Sequence, residues 1–224
     1  LEGVSIFELN KKIMRTVLTA DEARDILMNH FPTFIDIFNK SKESVLRSID
    51  SDTNKGITFF APSYKTMMMW HYVVNISSQD FANDNEFKPV IINQVFGLLY
   101  HDALFLRFKK LNSKHLTSNI PTLQSMTLNS QGSIPGFPES PCIINVGYVI
   151  DKTFTNFKSI NITCPKSNTD LHWQYDILND VANEKTLRFS FDAGAIDNNV
   201  SPGIEKLLKI KEEKKKGKLG NGHI

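Results

Sequence analysis

Six histidines and two cysteines have the widest chemical repertoire in this 224-residue chain, and their spacing excludes most of it. His30, His71, His101, His115, His172 and His223 never recur at three or four residues, the interval that would turn two imidazoles onto one helical face to hold a metal. Cys142 and Cys164 fit neither paired zinc-ligand spacing nor a redox Cys-x-x-Cys. They can close one disulfide, worth about 3 kcal/mol for such a loop in the chain-entropy relation, or remain two reduced core thiols. The chain contains no Gly-x-Ser-x-Gly elbow, no phosphate-cradling loop ending in Lys and no Gly-x-Gly-x-x-Gly. Phe191-Asp192-Ala193-Gly194 has the outline of a catalytic aspartate loop but lacks a second loop to pair its carboxylate. The expectation is a protein with no catalytic residues, no metal site and no cofactor, hence not an enzyme.

Asparagine offers a different chemistry. Asn-x-Ser/Thr sequons occur at Asn39, Asn75, Asn161 and Asn199, the last handicapped by the nearby Pro202. A glycan also needs surface exposure, so these positions are candidates subject to the fold.

Positioning such groups requires a folded body, and the composition supplies one. Hydrophobic residues make up 41% of the chain and charged residues 22%, enough apolar surface to offset the conformational entropy of folding. Net charge is +2, with the excess near the C-terminus, so the body is close to neutral. No run approaches the roughly 18 apolar residues of a membrane-spanning helix; the longest, Val90 to Tyr100, is interrupted by Asn93 and Gln94.

Thr19-Ala20-Asp21-Glu22 has the form of a capping box and predicts a helix to about His30, with Ala23, Ile26 and Leu27 on one stripe. Pro32 suits the first turn of a second helix carrying Ile35, Phe38, Val45, Leu46 and Ile49, with a break near Ser41. Turn formers from Ser51 to Gly56 precede a predicted buried strand, Ile57 to Phe60, and a helix from Tyr64 to Val74 whose methionines fill core space. An amphipathic helix is expected from Pro89 to Leu99, strands at Ala103 to Phe108 and Ser125 to Leu128, and an exposed irregular loop through Gly132, Pro135, Gly136, Pro138 and Pro141. Strands follow at Cys142 to Ile150, Phe157 to Thr163 and Thr186 to Phe191. Helices in the first half and strands in the second make an α+β class, not alternating βαβ units.

Three segments resemble the fasciclin domain family. Thr58-Phe59-Phe60-Ala61-Pro62 is similar to its first signature box, Leu98-Leu99-Tyr100-His101 to its central Tyr-His motif at the end of a hydrophobic helix, and Asn145 to Asp151 to a degenerate second box with Tyr148 where the family commonly has His. Asn168 to Asp176, with His172, is a rival for that box. The resemblance implies a β-sheet wedge flanked by helices, residence in the secretory route, at the cell surface, outside the cell or in a vacuole, frequent glycosylation, and adhesion or assembly through protein contacts. It offers Tyr100 and His101 as binding residues, against the alternative that both serve folding. It implies no cofactor.

On this reading residues 1–155 form the fasciclin-like domain, extending to about 178 under the rival box, 156–206 an extension with strands, and 207–224 a lysine-rich flexible tail. The expected partner is a protein or cell-surface receptor, with self-association open and no specific nucleic acid. The alternative function is an intracellular module whose tail docks on nucleic acid or anionic membrane. The tail lacks interleaved aromatics for base stacking, so such binding would be nonspecific and salt-sensitive.

Overall fold

The computed structural model describes residues 15–57, 61–118, 120–138 and 141–181. The predicted strand at Thr186 to Phe191, the Asp192 loop, Asn199 and the lysine-rich segment lie outside these described residues.

The chain enters through a helix, α1 (Ala20–Leu27), whose capping box forms as expected: Glu22 N–H donates to Thr19 Oγ1 at 3.3 Å, and Thr19 N–H donates to Glu22 Oε2 at 2.8 Å. A single 3-10 turn, Met28–His30, leads into α2 (Phe31–Asn54). No break occurs at Ser41; that serine is buried on the same stripe as Phe34, Ile37, Phe38 and Val45, where its small size admits close packing. The helix also consumes most of the predicted turn at Ser51 to Gly56. Ile57 is exposed and belongs to no strand, which corrects the start of the Ile57 to Phe60 expectation; residues 58–60 are not described. From Pro62 the chain forms α3 (Pro62–Asp80), burying Met69, Val73 and Ser77 at four-residue intervals, while Met67 and Trp70 stay exposed.

Among the described residues six strands follow: β1 (Phe87–Ile92), β2 (Val95–Tyr100), β3 (Leu104–Lys110), β4 (Cys142–Ile150), β5 (Phe157–Pro165) and β6 (Leu171–Asp176). They lie side by side in chain order. Every neighbouring pair is antiparallel except β3 and β4, which run parallel and are joined by a crossover carrying α4 (Leu123–Asn129). The α+β class therefore stands, with its long helices in the N-terminal half and a six-stranded open sheet after them.

Two elements differ in type from the sequence expectation. The helix expected over Pro89 to Leu99 is the β1–β2 hairpin, closed by Asn93 and Gln94 at φ 49° and 64°. Two consecutive left-handed residues match the right-handed twist of the flanking strands. The strand expected at Ser125 to Leu128 is α4, capped by reciprocal hydrogen bonds between Thr122 and Ser125. β4 pairs with β5 across residue 155, and the compact unit runs to Val181, close to the alternative boundary at about 178.

The main core lies between the sheet and α1 to α3. Phe34 and Phe38 meet Phe108 edge-on at ring separations of 6.2 and 6.0 Å, and Phe38 meets Tyr148 at 5.2 Å. Trp173 Nε1 donates to Leu18 O at 2.7 Å, and Arg24 Nε to the Tyr175 hydroxyl at 3.0 Å, tying β6 to the chain entering α1 and to α1 itself. A smaller apolar cluster of Phe105, Leu128, Phe137 and Ile143 holds α4 on the far face. The proline-rich loop beside it is less exposed than expected: Gly132 and Phe137 are buried, Arg15 donates to the carbonyls of Gly132, Pro138 and Pro141, and its guanidinium sits 5.0 Å from the Phe137 ring centre.

Candidate functional site

Strand alternation sends Phe108 and Lys110 of β3 toward the helices, and across the parallel register Lys110 sits beside Tyr148 of β4. At this end of the sheet α3 stands off far enough to leave a cavity of about 540 Å³, within the range of about 300–1,000 Å³ typical of small-molecule sites. Phe38, Val73 and Phe108 supply apolar wall, and Met67 and Trp70, exposed by 64% and 48%, stand at its edge. Polar groups come from Ser63 and Thr66 on α3, Ser118, Lys109, Lys110 and Tyr148. Lys110 Nζ donates to Thr66 Oγ1 at 3.2 Å, which fixes the ammonium between helix and sheet. Burial raises the pKa of the Tyr148 phenol, so it stays a neutral hydroxyl at physiological pH.

Behind this strand end, on the far face, lies a polar layer. Arg107, 2% exposed, donates from Nε to Asn145 Oδ1 at 3.0 Å and from Nη2 to Asn129 Oδ1 at 2.7 Å, and no described carboxylate pairs with it. Burial lowers its pKa to about 10. Lys109 is brought down to about 8 by burial and then by repulsion from Arg107. The segment Leu111 to Ser118 folds over this layer: Leu111 packs on Gly147, where a Cβ would lie 2.5 Å from its Cγ, and His115 Nδ1 meets Gln174 Oε1 at 2.7 Å.

The residues singled out from sequence do not converge. Tyr100 ends β2 and packs on Phe87 at 5.0 Å, while His101 lies in the following turn, exposed, at φ 42°, with its ring edge-on to Tyr100 at 4.7 Å. The expected position at the end of a helix is thus a strand end, and the imidazole does not fill a buried backbone vacancy. Asn75 is exposed on α3, with Nδ2 3.1 Å from His71 Nε2, and Asn39 is half-buried on α2. Asn161 is corrected as a glycosylation candidate: it is 1% exposed in β5, the second strand in from the edge, where a glycan has no room. Cys142 and Cys164 are free buried thiols with sulfurs 4.0 Å apart. The hydrogen bond it shares with Cys142, together with burial, raises Cys164 and keeps it a neutral thiol. Among the described residues no cluster of His, Cys, Asp or Glu has metal-holding geometry, and no helix is long and apolar enough to cross a membrane.

Thr66, Trp70, Lys110 and Tyr148 had no shared role in the sequence reading. Their lone sequence signal is an ammonium and a tyrosine within strand-forming runs, which does not reveal that α3 covers both.

Comparison with family models, with curated proteins and with solved structures finds no match for this chain.

Proposed function

We propose that the described body is a non-catalytic binding module whose working site is the cavity between α3 and the ends of β3 and β4. One observation carries this reading: an apolar cavity of about 540 Å³ with a few convergent polar groups and two large apolar side chains exposed at its edge. Among the described residues the lining holds no carboxylate, imidazole or thiol, which favours holding a molecule over transforming one.

The test is fluorescence titration with aminoanthracene, an uncharged apolar dye. Saturable single-site enhancement is expected, lost in Thr66→Trp, whose indole would occupy the cavity, at an unchanged thermal midpoint. Enhancement that does not saturate, or that survives the filled cavity, overturns the reading.

A second reading rests on His101. An exposed imidazole held in the left-handed region and braced on Tyr100 is a small, pre-ordered surface feature, and such backbone positions cluster at recognition sites. It supports the fasciclin-type expectation of a secretory-route glycoprotein that contacts a protein partner, a cell-surface receptor or another copy of itself. His101→Gly separates recognition from folding, because glycine accepts this φ without strain. Cell attachment to the immobilised variant is expected to fall relative to wild type; equal attachment ends this reading.

A further inference from the structure

The cavity walls are apolar, but its charge is one-sided. Among the described residues lining it there is no Asp or Glu, and its two charged residues are Lys109 and Lys110. By strand alternation Lys109 belongs with Arg107 on the far face, which leaves Lys110 as the cation on the cavity side. An ammonium has three donors, and Lys110 commits one of them to Thr66. No described carboxylate forms an ion pair with it. The adjoining Tyr148 is 4% exposed and makes no hydrogen bond to a described residue, so a second donor stands beside the first with its proton uncommitted.

A cationic guest would meet an ammonium and no counter-charge. A neutral apolar guest would fill the walls but leave both donors dry and unsatisfied, a penalty of about 1–3 kcal/mol per buried group. A dianionic phosphate calls for more positive charge or an arginine fork than one lysine provides. A single negative charge on an apolar body satisfies all three conditions.

We infer, building on the cavity as the working site, that it binds an apolar carboxylate, with the hydrocarbon or ring against Trp70 and Phe108 and the carboxylate on the Lys110 ammonium and the Tyr148 hydroxyl. Trp70 then flanks the apolar body, and Thr66 is a positioning residue that aims the ammonium.

Calorimetric titration of the full chain with dodecanoate, dodecanol and dodecylammonium tests this, each kept below its aggregation threshold. Dodecanoate is expected to bind about tenfold or more tightly than dodecanol, the scale of one charge-assisted hydrogen bond, and dodecylammonium more weakly than either. Lys110→Met should bring dodecanoate down to the affinity of dodecanol while leaving dodecanol within about twofold, and Lys110→Arg should keep most of the preference. If both ligands bind but the carboxylate has no advantage, or Lys110→Met leaves its advantage intact, the ligand class is wrong and the cavity still stands as a binding site. If neither binds and aminoanthracene also fails, the cavity reading itself falls.

Discussion

Toward α2 and α3 the sheet presents Phe108, Val146, Tyr148, Ile160 and Ile162; the same strands on their far side bury Arg107, Asn145, Asn161 and Thr163. Both faces are dry, yet they are held by different physics. The helix side depends on volume and apolar area, which act over many contacts and tolerate a change of shape. Around Arg107 and Asn145 the far side depends on directed hydrogen bonds, where a group lost leaves a named partner unsatisfied. A reader of the fold can therefore expect graded losses on one side and a few sharp ones on the other.

The largest expected effect is on the helix side. Phe34→Ala should cost about 3–5 kcal/mol by the usual cost of emptying an aromatic site, read as a shift in the urea midpoint at unchanged slope. A loss under about 1 kcal/mol would mean that α2 is not docked as described.

Next comes Arg107→Ala, which strips both Asn129 and Asn145 of their donor and should cost about 2–3 kcal/mol. Arg107→Met should cost less, because it keeps apolar volume and removes the desolvated charge. Equal losses in the two variants would show that packing, not polarity, governs this face as well.

Lys109→Met should act in the opposite direction and stabilise by about 1 kcal/mol at neutral pH, since it removes a partly buried cation beside another. Its pH signature is distinctive. Lys109 has a folded pKa of about 8 against an ordinary 10.5, so between these values the unfolded chain binds the extra proton. Wild-type stability should therefore rise with pH from about 8 upward and lose most of that rise in the variant, as urea midpoints at pH 7 and about 9.5 would show. A variant that keeps the full rise would place its source elsewhere.

The smallest effect belongs to neither face. In the β4–β5 turn, burial pushes the Asp151 carboxyl up, but donors from Thr155, Thr153 and Asn156 outweigh it and bring it down to about 2 from 3.8. The stability it supplies is present above the unfolded value and fades as pH falls through the folded one. Asp151→Asn should therefore lose a little stability at neutral pH and converge on wild type at the acid end, so that its profile is flatter there; a loss as large at pH 2 as at pH 7 would place its source outside the carboxylate.

These contrasts were partly legible in the chain. Thr19 and Glu22 announce a helix start because both halves of the cap are local, and Cys142 to Ile150 reads as a buried strand because few other structures accept so many β-branched neighbours. The β1–β2 hairpin was not legible for a specific reason: Val90, Ile91, Val95, Leu98 and Leu99 fit a helical stripe, and Asn93-Gln94 lacks the glycine that usually marks such a turn. The short α4 hides because its Thr122/Ser125 cap lacks the customary Glu or Gln. β6 was within reach, since Leu171 to Asp176 alternates apolar and polar. The cavity was not, because Phe38, Thr66, Lys110 and Tyr148 come from separate elements that only tertiary packing assembles.

The lone parallel seam in the sheet bears on how the molecule comes together. On either side of it lies a three-stranded meander built from neighbours in sequence, which can zip early; joining β3 to β4 must first close the long crossover carrying α4. Pulse-labelled amide exchange should accordingly protect the β1–β2 and β4–β5 pairings before the β3–β4 pairing. Since Lys110 and Tyr148 face each other across that seam, the cavity they line would take shape only at the closing stage of the chain's own assembly.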